Sequence, residues 1–270
     1  MKRVRKLPLW RRIAVAAWRP PNDPTIHGSM LVDMEKALEF IEEKRRESGQ
    51  KITITHLVTK AVAQALATYP FLNQCVRGRY VYQRESVDIF LQVSFEKGEE
   101  LSGVKLANAD QKSVVEIAQE LAQKAQQVRS HQDPQFRRTF SLLRHLPDWV
   151  FRFLLKLSDY VGNTLNWSIP SLGIVGDPFG SAMITSVGMW GIEVGYPPFF
   201  PYSRTALLVA VGEVALRPMV VDGQVVARRA MYLSATFDHR IFDGYQAAKL
   251  ANFVKNYLED PWQNSSFSAR

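Results

Sequence analysis

Apolar residues recur at helical spacing in several stretches of the chain. Ser29 to Leu38 reads as a strand that runs into a helix, and from Asp33 to Arg46 the residues Met34, Ala37, Leu38 and Ile41 repeat with charges between them. That spacing predicts an amphipathic helix, which Gly49 ends. His56 to Tyr69 carries a broader stripe of Leu57, Val58, Ala61, Val62, Ala65 and Leu66. A more deeply buried helix is expected there, capped by Thr55 and stopped by Pro70. A third helix is predicted from about Ser113 to Arg129, and a last one from Gly244 to Leu258, before Asp260-Pro261. Strand character marks Arg79 to Tyr82, Val87 to Phe95, Ala182 to Val187, Thr205 to Val214 and Arg228 to Phe237, with Asp222-Gly223 as a hairpin turn between the last two. Strands joined both by hairpins and by crossovers predict an α/β protein, a layered sandwich on a mixed sheet. No internal repeat or low-complexity linker divides residues 1–270, so a single domain is expected.

Composition narrows the chemistry. A chain of 270 residues with 46% hydrophobic content can fill a core, and no apolar run is long enough to cross a bilayer. The single cysteine, Cys75, excludes an internal disulfide framework and a thiolate metal site, and points to a reducing cytoplasm. The five histidines are scattered and no CxxC, HExxH or glycine-rich phosphate loop occurs, so no metal is expected. The net charge of +8 is spread along the chain with no nucleic-acid module. It favours encounter with a phosphorylated coenzyme or an acidic carrier domain. Near the N-terminus, Arg11 and Arg12 interrupt the apolar stretch and Arg19-Pro20-Pro21 follows it, which reads as the start of the folded domain in place of an export signal.

The densest chemical signal is Thr236-Phe237-Asp238-His239-Arg240-Ile241-Phe242-Asp243-Gly244, directly after the strand-like Met231 to Ala235. A neutral imidazole at a strand end can serve as a general base near pH 7. Asp243 is placed to fix the loop, and Gly244 lets the chain turn. This motif resembles the active-site signature of the dihydrolipoamide acyltransferases of 2-oxoacid dehydrogenase complexes. Further matches follow in order: Lys51 to Thr55 with Lys60 to Leu66, Val87-Asp88-Ile89, Ala107 to Ser113, Val211-Gly212, Arg217-Pro218 and Val220 to Gly223. Together they cover roughly residues 7 to 135 and 178 to 261.

The resemblance implies a chloramphenicol acetyltransferase-like two-layer sandwich, with helices covering a mixed β-sheet. It also implies acyl transfer between coenzyme A and a thiol acceptor of the dihydrolipoyl kind. His239 would be the base, and a hydroxyl would stabilise the tetrahedral oxyanion. Aligning the glycines of Ser186-Val187-Gly188-Met189-Trp190-Gly191 puts Thr185 at the position of the family's serine; Ser186 would face the other side of the strand. Asp243 would hold the loop through an ion pair. His27, Ser186 and Gly188 are candidate substrate contacts. A homotrimer is implied, with each active site between two subunits.

Three departures from the family stand out. No lipoyl or subunit-binding domain precedes the domain, so no lipoyl group is expected on this chain and a separate carrier protein would supply it. Trp10 stands where the family's early basic residue is expected. The connection at about 133–177 is unusually long and carries a predicted helix at 147–161, with Val150, Phe151, Leu154, Leu157 and Val161 on one side. A core or interface helix is expected there, ahead of a pocket lid or a membrane-surface element built on Arg144, Arg152 and Lys156. A non-catalytic scaffold and a small-molecule O-acetyltransferase are the alternative functions. The first is disfavoured by the joint presence of His239, Asp243 and Thr185, and the second by Asp238, where chloramphenicol acetyltransferase has a second histidine.

Overall fold

The computed structural model describes residues 24–78, 80–95, 100–129, 147–165, 167, 169 and 176–265. The readings made for the N-terminal segment, Trp10 included, lie outside these residues. The elements are β1 (Thr25–Asp33), α1 (Glu35–Ser48), α2 (Ile54–Thr68), β2 (Gln74–Arg77), β3 (Tyr80–Gln83), β4 (Ile89–Phe95), β5 (Glu100–Leu106) and α3 (Val114–Arg129). They continue with α4 (Asp148–Asp159), β6 (Ala182–Ser186), β7 (Leu207–Val221), β8 (Gln224–Asp238), α5 (Gly244–Glu259) and α6 (Pro261–Ser265). Six strands form a mixed sheet in the order β1-β8-β7-β6-β4-β5, and β2 and β3 make a separate ribbon. β6 runs parallel to both β4 and β7, and the other neighbours are antiparallel.

Alternation decides the two faces of the sheet. Val32, Ile89, Leu91, Ala182, Ile184, Leu207, Val209, Val211, Met231, Leu233 and Phe237 join one apolar core with residues from α1, α2, α3 and α5. The two-layer α/β sandwich expected from the pattern is the fold observed. Helix α2 is its hub, packing on α5, α3 and α1. It is buried almost all round, polar positions included: Thr59 is 0% exposed and Lys60 2%. Thr59 Oγ1 donates to the carbonyl of Thr55 and Lys60 Nζ to that of Asp110, so both polar groups are satisfied.

Local chemistry explains where the pattern reading was off. The cap of α2 is Thr53, not Thr55, in a reciprocal arrangement with His56 three residues on. The Thr53 N–H donates to His56 Nδ1 at 3.1 Å. Strand β5 escaped the pattern because Gly103 sits in its middle. A Cβ there would lie 2.1 Å from the ring of Phe90, so the glycine is required by packing. The β7–β8 hairpin is longer than expected because its outer half has no layer to bury against. Its turn is Asp222-Gly223, with φ of 50° and 79°, the positive values a two-residue hairpin needs.

The long connection does contain a helix, α4, as expected, and of the core and interface readings made for it, the core reading does not hold within one chain. Phe151 is buried to 2%, whereas Leu154 is 37% and Leu157 44% exposed. The helix is tied down at its end by an ion pair of 2.5 Å between Asp159 and Arg204. Where the chain re-enters the sheet, Asp177 accepts two hydrogen bonds from Arg84, at 2.9 and 2.8 Å. Burial opposes charge on Asp177, but the Arg84 pairing outweighs it and holds the carboxyl below its usual range.

Burial, aided by the Arg45 charge, lowers the pKa of His56 from 6.5 to about 4. The folded value lies below the unfolded one, so the unfolded chain binds a proton first as pH falls. Stability supplied by neutral His56 is present above about pH 6.5 and is lost between there and about pH 4. The loss amounts to roughly 3 kcal/mol at most. Denaturant unfolding as a function of pH checks this. In His56→Gln, which keeps an acceptor for the Thr53 N–H, the slope over that window should flatten.

Candidate active site

Strand β8 delivers His239 as the first residue past its end. The His239 N–H donates to the carbonyl of Pro24 at 2.7 Å, tying the turn to the chain as it enters β1. The carbonyl of Asp238 accepts from Ile241 and Phe242, closing a tight turn. The Asp238 carboxylate takes the backbone N–H and guanidinium of Arg240, the latter at 2.9 and 2.6 Å. Phe242 is fully buried and packs on Phe237 at 5.2 Å between ring centres. Between these anchors His239 stands exposed at the surface.

Among the described residues Asp243 holds the loop through hydrogen bonds to the backbone. It is the N-cap of α5, and its Oδ1 accepts from the N–H groups of Tyr245 at 2.8 Å and Gln246 at 3.2 Å. Gln246 closes the box by accepting from the Asp243 N–H. Among the described residues the carboxylate is engaged by backbone amides. The ion pair of the loop belongs to Asp238 and Arg240.

Thr185 lies on the helix-free face of the sheet, and its row can be followed across four strands. Thr185 pairs with Ala210, Ala210 with Ser234, and Ser234 with Ser29. His27 shares this face one row away, opposite Thr236. Its Nδ1 lies 3.1 Å from Thr236 Oγ1, and its ring rests 5.4 Å from that of Tyr196. Since Thr236 donates its own proton to the carbonyl of Pro197, His27 Nδ1 carries the hydrogen. Ser186 alternates to the helix side, as expected. Gly188 is demanded by packing: a Cβ there would come within 2.3 Å of the Gly212 carbonyl oxygen.

Sequence reasoning missed the segment that roofs this face. The Glu193 carbonyl lies against Gly212 on β7, Pro197 caps Thr236 on β8, and Tyr196 Oη reaches Ser29 on β1 at 3.0 Å. This strap carries no periodicity, so no pattern marked it. Beneath it Ser234 is 1% exposed, and its hydroxyl has no hydrogen-bond partner among the described residues. A separate cavity of about 200 Å³ lies on the opposite, helix-covered face, lined by Gly28, Met30, Leu233, Phe237, Ala247 and Val254. It does not communicate with Thr185 across the sheet.

One chain does not bring His239 and Thr185 together. Thr185 is level with Ser234, two strands over, and His239 is five residues further along β8. At ~3.3 Å per residue and ~4.8 Å per strand the two lie on the order of 19 Å apart. His239 lies past one end of the sheet, whereas the row of Thr185 crosses the middle of β1 and β4.

The two-layer sandwich is shared with solved acyltransferase cores. A probable dihydrolipoamide acetyltransferase from Listeria monocytogenes superposes with a TM-score of 0.69 at 20% identity, covering 95% of this chain and 94% of that one. A truncated catalytic core of the 2-oxoacid dehydrogenase multienzyme complex from Thermoplasma acidophilum gives 0.68 at 21% identity, covering 97% and 100%. Residues 17–134 and 179–265 match the family described as 2-oxoacid dehydrogenases acyltransferase (catalytic domain), and the chain belongs to that family of enzymes. The mitochondrial dihydrolipoyllysine-residue succinyltransferase component of the 2-oxoglutarate dehydrogenase complex of Saccharomyces cerevisiae is 28% identical over 233 residues. That alignment spans 86% of this chain and 41% of the yeast protein. The gap in the family match, residues 135–178, holds α4.

The cap at Asp243 generates a test. Asp243→Ala should cost about 1 kcal/mol of stability, whereas Asp243→Asn, itself a good cap, should stay within a few tenths. Chemical denaturation measures both. If instead an ion pair gives Asp243 its role, the asparagine variant will be as damaged as the alanine one.

Proposed function

We propose that the protein is an acyltransferase that moves an acyl group directly between coenzyme A and a dihydrolipoyl-type thiol. It works as a homotrimer in which His239 of one subunit meets Thr185 of the next. The separation of these two residues within one chain carries the reading. An exposed base past the end of the sheet and a hydroxyl in its middle rows become one site only when two chains meet. Exposed apolar residues beside Thr185 support a covering subunit: Met189 is 67%, Trp190 50% and Ile192 42% exposed. The buried free thiol of Cys75 is in keeping with a cytoplasmic location.

In this mechanism neutral His239 takes the proton of the acceptor thiol, and the thiolate attacks the thioester carbonyl carbon. The oxyanion of the tetrahedral intermediate accepts a hydrogen bond from Thr185. Collapse breaks the bond from carbon to the coenzyme A sulfur, and that thiolate recovers the proton from His239. Asp243, through its cap, and Asp238, through Arg240, hold the turn that presents the imidazole. Of the two aromatics past Pro261 that could anchor one trimer to another, Phe267 lies outside the described residues and Trp262 packs edge-on against Phe40 of its own subunit at 5.6 Å, which makes it a poor anchor. The assembly is therefore expected to stop at the trimer, and light scattering should give a mass near three chains; a mass many times larger overturns that expectation.

His239→Ala should lower the rate of acyl transfer from acyl-CoA to a dithiol by about 10²–10⁴-fold. Thr185→Ala should remove about 2.7–4 kcal/mol of transition-state stabilisation, with Thr185→Ser retaining most activity. Co-expressing the two alanine variants separates the arrangements. A site shared between subunits regains activity in mixed trimers, because some interfaces carry both native residues. A site confined to one chain regains none.

A further inference from the structure

Helix α4 belongs to the stretch that the family match skips, and its outward face carries large apolar side chains where a solvated helix carries charge. Trp149 is 74%, Phe153 60%, Leu157 44% and Tyr160 54% exposed, spaced along one side of the helix. They continue in the chain to Trp167, 61% exposed. With roughly 150–250 Å² per aromatic side chain, the uncovered area is on the order of several hundred Å², the size that marks an interaction surface. The inner side is already anchored by buried Phe151 and by the pair of Asp159 with Arg204. The helix is therefore held in place with this face outward.

Charge selects the partner. Residues 133–177 contain five basic residues, Arg137, Arg138, Arg144, Arg152 and Lys156, and four acidic ones, Asp133, Asp148, Asp159 and Asp177, of which Asp177 is paired with Arg84 and Asp159 with Arg204. Asp159 is turned inward, while Arg152 and Lys156, one helical turn apart, are exposed among the aromatics. Two copies meeting through this face would bring Arg152 and Lys156 against their own like charges. A surface that is apolar below and anionic above satisfies both sets of side chains. Tryptophan and tyrosine suit such a boundary because each has an apolar body and a polar tip, and arginine and lysine reach up from it to phosphate. The helix has 12 residues, about 18 Å at 1.5 Å per residue, which is too short to span a bilayer.

We propose that α4 is a membrane-surface anchor, laying Trp149, Phe153, Leu157 and Tyr160 into the headgroup boundary of an anionic bilayer, with Arg152 and Lys156 on the lipid phosphates. The sequence alone ranked this below a core or interface helix; the exposures set aside the core reading, and the charge beside the aromatics favours the membrane over a subunit interface. The test is flotation of the full chain with vesicles of phosphatidylcholine alone or mixed with phosphatidylserine. Binding should be at least about tenfold stronger to the anionic vesicles and should weaken with added salt. The double variant Trp149→Glu/Phe153→Glu should lose about tenfold or more, with an unchanged circular dichroism spectrum. Arg152→Glu/Lys156→Glu, which alters only exposed positions, should do the same and carries the test alone if the first variant does not fold. The proposal is overturned if binding ignores lipid charge, or if both variants bind as the native protein does. It is also overturned if the native protein ignores vesicles and the glutamate variants reduce the assembly's mass, which would make the face a subunit contact.

Discussion

Strand β8 is bonded on one side to β1 and on the other to β7, and its register against both fixes which residues can take part in chemistry. With Met231, Leu233 and Phe237 turned under the helices, Ser234, Thr236 and Asp238 must face the other way. That alternation places Ser234 in line with Ala210 and Thr185, and sets His239 just past the last paired residue. A slip of one residue would carry the hydroxyls into the apolar core and the core residues out of it. The apolar side chains under the helices therefore hold the polar face in place without touching it.

Polar groups buried in this protein are mostly satisfied by backbone. Lys60 gives its ammonium to the carbonyl of Asp110, Thr59 its hydroxyl to that of Thr55, and His56 completes a helix cap. Each bond removes a desolvation cost and also ties one element to another. Among the described residues the Ser234 hydroxyl is one of several buried polar atoms without a hydrogen-bond partner, and it lies in the row that contains Thr185.

Much of what reads as a catalytic motif is architecture. In the run from Asp238 to Gly244, Asp238 and Arg240 clamp the turn, Phe242 plugs the core and Asp243 starts a helix. Only His239 is left with its side chain outside this framework. The same holds past the end of β6, where Gly188 is small because the backbone at Gly212 lies against it. Inserted helix α4 departs from this economy. It adds little to the core and displays its larger side chains outward.

Periodicity and turn chemistry were enough to read the α/β class, four of the main helices, the central hairpin and His239 at a strand end. These follow from local rules: apolar spacing, Gly and Pro punctuation, and the alternation of faces in a strand. Strand β5 was hidden because Gly103 answers to a ring in the neighbouring strand. The cap of α2 was misplaced by two residues because a histidine, not a glutamate, completes its box. The strap from 192 to 202 has no repeat at all, since its groups are paired with three separate strands. For α4 the spacing showed an apolar helix, yet it could not say which side is covered, because that depends on where Arg204 and the rest of the body lie. The same limit applies to the candidate site. The sequence determined that a base and a hydroxyl are present, whereas the order and register of the strands decided that they stand two strands and five residues apart within one chain.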